Sequence, residues 1–317
     1  MAEAARVEDH NGATAHEIED ADTVYARRAR FFDPSNAFNI DYPAIPAHSF
    51  VDERDQALDP ATGTALIPLD LSKALDLPFP ATTPLVLASY ARIRDGESLR
   101  HEARASTALF YVIEGEGNSI RGSDAIAWSK GDAFCLPGGE PIVHLSLGGD
   151  SVLWAVTNEP QLAFEHFAPP TDKDALVQAV HFPAAAIDAE LDQTFARLAN
   201  QRTAGLAAIM ASERLEERRN ISPTLTFAMN QMGPRGDQEP HSHNSIAISL
   251  TIDYEDCYSV VDGARKDWQP FVTTVTPPSS VHSHHNGGDK RAKWLIVQDG
   301  GFFYHTRTMG FRFEDDA

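Results

Sequence analysis

Residues 240–244 read PHSHN and residues 276–286 read TPPSSVHSHHN, and between them run the stretches SIAISLTIDY and YSVVDGARKDW. In an extended strand, side chains two apart share a face, so His241 and His243 point the same way with Cα atoms about 6.6 Å apart. Both rings can then reach one ion. A Pro277-Pro278 turn precedes His282, where a returning strand would bring a third imidazole to the same face. Three neutral imidazoles on one side of an ion leave its other positions open, the arrangement of a catalytic site rather than a closed structural one. His284 follows two residues later. It is a candidate for a fourth ligand, a group that orients a ligand, or an acid/base beside bound substrate.

Outward from these segments the texture stays β. TLTFAMNQ, FVTTVTPP, AKWLIVQDGG and FFYHTRTMGFRF carry β-branched and aromatic residues, and the Asp262-Gly263 pair is a two-residue hairpin signal. A second β region spans residues 85 to about 167, with LVLASYARI, ALFYVIEG, DAFCLP and SVLWAVTN separated by RDGE, EGEG, SKGD and LGGD turns. Between the two, residues 184–200 and 203–219 are rich in helix formers with apolar positions three and four apart, and predict two helices. The charged run ERLEERR reads as a solvated face. Residues before about 80 show weak periodicity and repeated prolines. The expected organisation is therefore all-β: an N-terminal arm (1–80), a barrel (81–170), a helical connector (171–220) and a second, metal-binding barrel (221–317). The two β regions look like a diverged duplication.

Composition narrows the partners. With 46 acidic against 26 basic residues and a formal charge of −20, most of the surface repels a nucleic-acid backbone or an anionic membrane. No stretch reaches the roughly 18 apolar residues of a membrane span, and MAEAARVEDHNG lacks the pattern of a secretory leader. A cytoplasmic protein, expected to form a homo-oligomer, follows. Cys135 and Cys257, the two cysteines, sit in strand-like contexts and are expected to be buried and reduced.

PHSHN, VVDGARKDW, TPPSSVHSHHN and WLIVQDGG together resemble the two characteristic segments of the cupin superfamily of jelly-roll barrels, and in particular gentisate 1,2-dioxygenases and their salicylate-cleaving relatives. The resemblance implies two tandem cupin barrels, with Fe(II) on His241, His243 and His282. The Ser283-His284-His285-Asn286 tail fits it. Oxalate-decarboxylase-type cupins add a glutamate soon after the histidine pair, whereas NSIAISL has no carboxylate before Asp253, which favours an all-histidine site. In the first barrel the resemblance places Glu102, Arg104 and Ile142 at the metal positions. That implies a metal-free barrel and a swapped barrel order relative to those enzymes. One departure concerns the substrate: an arginine that the family pairs with a carboxylate falls at Ser249. Arg235, Arg265 or Arg307 are candidates to replace it, and Asn230 is a further candidate polar contact.

These readings imply an Fe(II)-dependent ring-cleaving dioxygenase taking a hydroxylated aromatic acid or phenol together with O2. The alternatives are a cupin isomerase, lyase or decarboxylase using Mn, Ni or Zn as a Lewis acid, and a non-catalytic binding module for a small molecule.

Overall fold

The computed structural model describes residues 15–171, 173, 175–199, 201–203 and 205–316. The opening segment read above for a leader lies outside them. The chain divides into a unit of residues 1–44 and a unit of residues 45–317. In the first, His16–Glu17 pairs antiparallel with Arg30–Phe31, and Asp33 caps a short helix, Pro34–Ala37, by accepting from the Ser35 amide.

The second unit holds two pairs of antiparallel sheets. In one pair, a six-stranded sheet runs in the order Val180–Phe182, Ala133–Pro137, Thr107–Glu114, Ser151–Thr157, Leu87–Ile93, Ala65–Pro68. It is accompanied by a four-stranded sheet built around Ile142–Ser146 and Glu116–Arg121. In the other pair the six strands are Leu206–Met210, Thr226–Met232, Ala292–Gln298, Ala247–Asp253, Thr273–Thr276 and Ser49–Phe50. The five-stranded sheet beside them contains Cys257–Val261, His282–Asn286 and Asp237–His243. Each pair encloses its own interior. A third apolar cluster joins outward faces of the two six-stranded sheets through Tyr90, Leu109, Trp154, Phe227, Ile248 and Leu295. That shared layer holds the two barrels together by burial of apolar surface.

Three expectations need correction. Residues 45–80 are not an arm: Ser49–Phe50 pairs with Thr273–Thr276 of one barrel, and Ala65–Pro68 pairs with Leu87–Ile93 of the other. Both are edge strands, where Pro68 is tolerated. Of the two connector helices only Ala184–Leu198 forms. Residues 206–210 instead form a strand pairing with Thr226–Met232, because Ala208 and Met210 alternate into the core and a free sheet edge overrides the helix propensity of alanine. Finally, the FFYHTRT stretch is the helix Gly300–Thr306, which carries the exposed His305. The Asp262-Gly263 hairpin forms as expected, with both residues at positive φ (47° and 80°) and Val261 opposite Ala264. Cys135 and Cys257 are buried free thiols. No helix among the described residues is long and apolar enough to cross a membrane.

Candidate metal centre and its cavity

The strand Asp237–His243 lies antiparallel to His282–Asn286, with His241 opposite His282. Alternation in the first strand turns His241 and His243 to one face, and the pairing brings His282 beside them. One ring nitrogen from each of the three lies within 4.8 Å of the others, close enough for one ion at metal–nitrogen distances of about 2.0–2.1 Å after small ring movements. Among the described residues it is the one such group of three His, Cys, Asp or Glu donors.

The hydrogen bonds of the three rings follow one rule. His241 Nδ1 donates to the Glu239 carbonyl at 2.7 Å, His243 Nδ1 to the Ser245 carbonyl at 2.8 Å and His282 Nδ1 to the Ser280 carbonyl at 2.9 Å. A carbonyl only accepts, so each Nδ1 carries the hydrogen and each Nε2 keeps its lone pair. Burial lowers the pKa of all three, that of His282 to about 3, with repulsion from His241 adding to it there. The rings are thus neutral, fixed in tautomer and oriented from behind, as metal-ligating imidazoles are. Gln298 Nε2 donates to His243 Nε2 at 3.2 Å, which uses the same free lone pair.

His284 is held by different chemistry. Trp268 Nε1 donates to Ser259 Oγ at 2.8 Å, and Ser259 Oγ lies 2.7 Å from His284 Nδ1. The indole can only donate and takes one lone pair of Ser259 Oγ; the hydroxyl's own hydrogen and its second lone pair let it either donate to Nδ1 or accept from it. Burial, with repulsion from His282 adding to it, lowers the pKa of His284 well below the usual histidine value. His284 is therefore a neutral imidazole tied at Nδ1 to a side-chain hydroxyl, where the other three are tied to main-chain carbonyls.

All four histidines line a cavity of about 780 Å³, within the range of small-molecule sites. Asn230 and Ser249 line it as well. Arg235 and Arg307 do not. Arg235 sits in an exposed turn at positive φ (54°), paired with Asp289 at 2.9 Å, and Arg307 caps the helix Gly300–Thr306 in solvent with its guanidinium on the His305 carbonyl. Arg265 is also exposed, paired with Asp267 and lying over the Tyr258 ring. The arginines on the cavity are Arg218 and Arg219, part of the run read above as a solvated face. Gln298, Tyr304 and Phe311 likewise line it and went unnoticed. Nothing in local periodicity distinguishes them, since the cavity collects them from separate elements.

The first barrel has a different register from the one the resemblance implied. His101 lies opposite Ile142, as His241 lies opposite His282. The positions matching His241 and His243 are therefore His101 and Ala103, while Glu102 and Arg104 are exposed. His144 takes the place of His284: Ser119 Oγ is 2.7 Å from its Nδ1 and accepts from Trp128 Nε1 at 2.8 Å.

No family model matches the chain. Over 62 residues, 19% of its length, it is 37% identical to a 1-hydroxy-2-naphthoate 1,2-dioxygenase of Nocardioides sp. strain KP7. Over 119 residues, 38% of its length, it is 26% identical to a 5-aminosalicylate 1,2-dioxygenase of Comamonas sp.. These matches span 16% and 31% of the two relatives' lengths. The fold matches far more widely: a crystal structure of salicylate 1,2-dioxygenase from Pseudaminobacter salicylatoxidans superposes with a TM-score of 0.70 at 13% identity, covering 88% of this chain and 91% of that one. The chain thus has the all-β tandem-cupin fold and is similar, in that fold and in short stretches of sequence, to gentisate- and salicylate-type dioxygenases.

Proposed function

We propose that the protein is a ring-cleaving dioxygenase that holds one ferrous ion on the Nε2 atoms of His241, His243 and His282 and takes a hydroxylated aromatic acid or phenol with O2. The observation that carries this reading is the set of three buried imidazoles, each with Nδ1–H tied to a main-chain carbonyl, lining one cavity. The donor set fits the metal. Three uncharged nitrogen ligands leave the full dipositive charge of the ion to attract an anionic chelating substrate. A ferrous ion there supplies Lewis-acid polarisation and electron exchange with dioxygen.

The chain's own residues do the rest. In this reading the Ser259 hydroxyl donates to His284 Nδ1, the ring hydrogen is on Nε2 and is donated to a substrate oxygen at the cavity floor, and the Trp268–Ser259 pair fixes that ring against rotation. Asn230, Ser249 and Gln298 offer uncharged polar contacts for orientation, and the buried setting excludes bulk water from the reacting oxygens. The curated relatives are named for hydroxynaphthoate, aminosalicylate and gentisate, and these compounds frame the substrate class.

The test is an aerobic screen of iron-loaded protein against salicylates, gentisates, hydroxynaphthoates, aminophenols and hydroquinones, following oxygen uptake and the ring-opened chromophore. Uptake with at least one member is expected. Silence across the panel with ferrous iron bound would reject the reading in favour of isomerase or lyase chemistry, and elemental analysis of the purified protein separates Fe from Mn, Ni or Zn.

A further inference from the structure

We infer that Arg218 and Arg219 form an anion-receiving mouth to the cavity, so that the preferred ligand is an aromatic acid whose carboxylate lies far from the oxygens that meet the histidines. The inference deepens the dioxygenase reading and rests on it for the role of the floor. Among the residues lining the cavity, Glu217, Arg218 and Arg219 are the charged ones, since the histidines are held neutral by burial. Together they leave one net positive charge on a chain whose total is −20.

Acidic neighbours neutralise other arginines around this barrel: Arg235 pairs with Asp289, Arg265 with Asp267, Arg291 with Asp192 and Arg202 with Glu239. Arg218 and Arg219 make no ion pair or side-chain hydrogen bond among the described residues. Their position follows from the backbone. Arg218 ends the 3-10 turn Glu213–Arg218, and Arg219 adopts positive φ (53°), which stops the turn and leads the chain to the buried Asn220 on the cavity wall.

Depth sets the substrate geometry. Both arginines are exposed, whereas His241, His243, His282 and His284 are all less than a tenth exposed, so the charge is at the rim and the histidines are at the floor. Ile209 and Tyr304, also exposed, give the rim apolar and aromatic wall. Ser249 and Asn230 leave the floor without a cationic side chain to pair with a carboxylate. A ligand filling this space puts hydroxyl oxygens at the floor and a carboxylate between two guanidinium groups, whose planar donors bind a carboxylate in pairs. A single ring with hydroxyl and carboxylate side by side satisfies only one end.

The experiment uses the full chain without added metal and follows quenching of the fluorescence of Trp268 and Trp294, which pack against His284. The probes are 6-hydroxy-2-naphthoate, with its oxygens at opposite ends, and the corresponding carboxamide. The acid is expected to bind about 10-fold more tightly than the amide, the scale of a charge-assisted hydrogen-bonded pair. The preference should vanish in the double variant Arg218→Gln/Arg219→Asn, in which Asn tolerates the left-handed backbone. Equal affinities in the unaltered protein, or a preference that survives the double variant, would overturn the proposal. Oxygen uptake by iron-loaded protein with 6,7-dihydroxy-2-naphthoate is measured separately. An Arg-dependent acid preference without uptake keeps the anion mouth and rejects the dioxygenase reading, and uptake without any acid preference does the reverse.

Discussion

In the first barrel Phe110 stacks on Phe134 with ring centroids 4.8 Å apart, and Leu136 and Leu153 close the same interior. In the second, strand register puts Ser249 where Phe110 stands: Phe110 faces Ala155 and Phe134, and Ser249 faces Ile296 and Thr274. By the same pairing Thr276 stands for Leu136 and Asn230 for Ala91. The frame is shared down to a Trp–Ser–His relay of 2.8 and 2.7 Å in each barrel. What differs is the volume of a few inward side chains and two ligand positions, Ala103 and Ile142 against His243 and His282. One duplicated scaffold therefore yields a packed support and a hollow vessel. Side chains around Phe110 fill the first barrel, and the shared apolar layer joins its six-stranded sheet to that of the second.

The largest effects should come from the ligand positions that separate the barrels. Replacing His241, His243 or His282 by Ala one at a time is expected to lower iron affinity by more than about 100-fold, since losing a mere supporting partner costs about 10–100-fold. Elemental analysis should give about one equivalent per chain for the unaltered protein. Two tight equivalents, one of them surviving His241→Ala, would mean that the first barrel also holds metal.

The packing contrast can be inverted. Phe110→Ser should destabilise the protein by about 3–5 kcal/mol, the cost of a large cavity in a filled core, read from urea unfolding. The reciprocal Ser249→Phe should leave the unfolding midpoint within about 1 kcal/mol, because the cavity has room for the ring, and should abolish fluorescence quenching by aromatic acids. Comparable destabilisation by both changes would contradict the picture of one filled and one hollow barrel.

Much of this was legible because local pattern and site coincide. The histidine pair two apart and the proline-turn histidine predict one face, and the strands put them there. The Asp262-Gly263 turn needed only its own residues. By contrast, Arg218 and Arg219 lie in a charged run whose role depends on where the preceding edge strand ends, and that strand was hidden by alanines that favour helix in isolation. The first barrel's register was misjudged by one residue because Glu102 and Arg104 have the same two-apart spacing as His241 and His243; only the pairing of His101 with Ile142 distinguishes the faces.

A smaller effect tests the relay at the cavity floor. Ser259→Ala removes the hydroxyl that holds His284 Nδ1 and leaves the Trp268 indole unpaired. Turnover should fall by about 10–100-fold with iron content unchanged, whereas Ser119→Ala in the first barrel should leave turnover intact. Loss of iron in Ser259→Ala would instead make His284 a ligand.

The smallest expected effect lies in the pH dependence of stability, and it comes from the filled barrel. Burial lowers the pKa of His101 to about 4 and that of His144 to about 3, and His101 Nδ1 has no hydrogen-bond partner among the described residues. In the unfolded chain both titrate near 6.5. Above that value both states are neutral and neither residue affects stability. Between about pH 6.5 and 4 the unfolded state takes up protons that the folded state refuses, so stability falls as pH falls, with a slope approaching about 1.4 kcal/mol per unit for each histidine. Below the folded-state values the loss levels off. Urea unfolding at pH 7 and pH 5 should therefore show a drop that shrinks by about 1–2 kcal/mol in His101→Leu, which keeps the site apolar and removes one titrating group. If the drop is unchanged in that variant, the His101 side chain is hydrated in solution, and the first barrel is less tightly filled than its phenylalanines indicate.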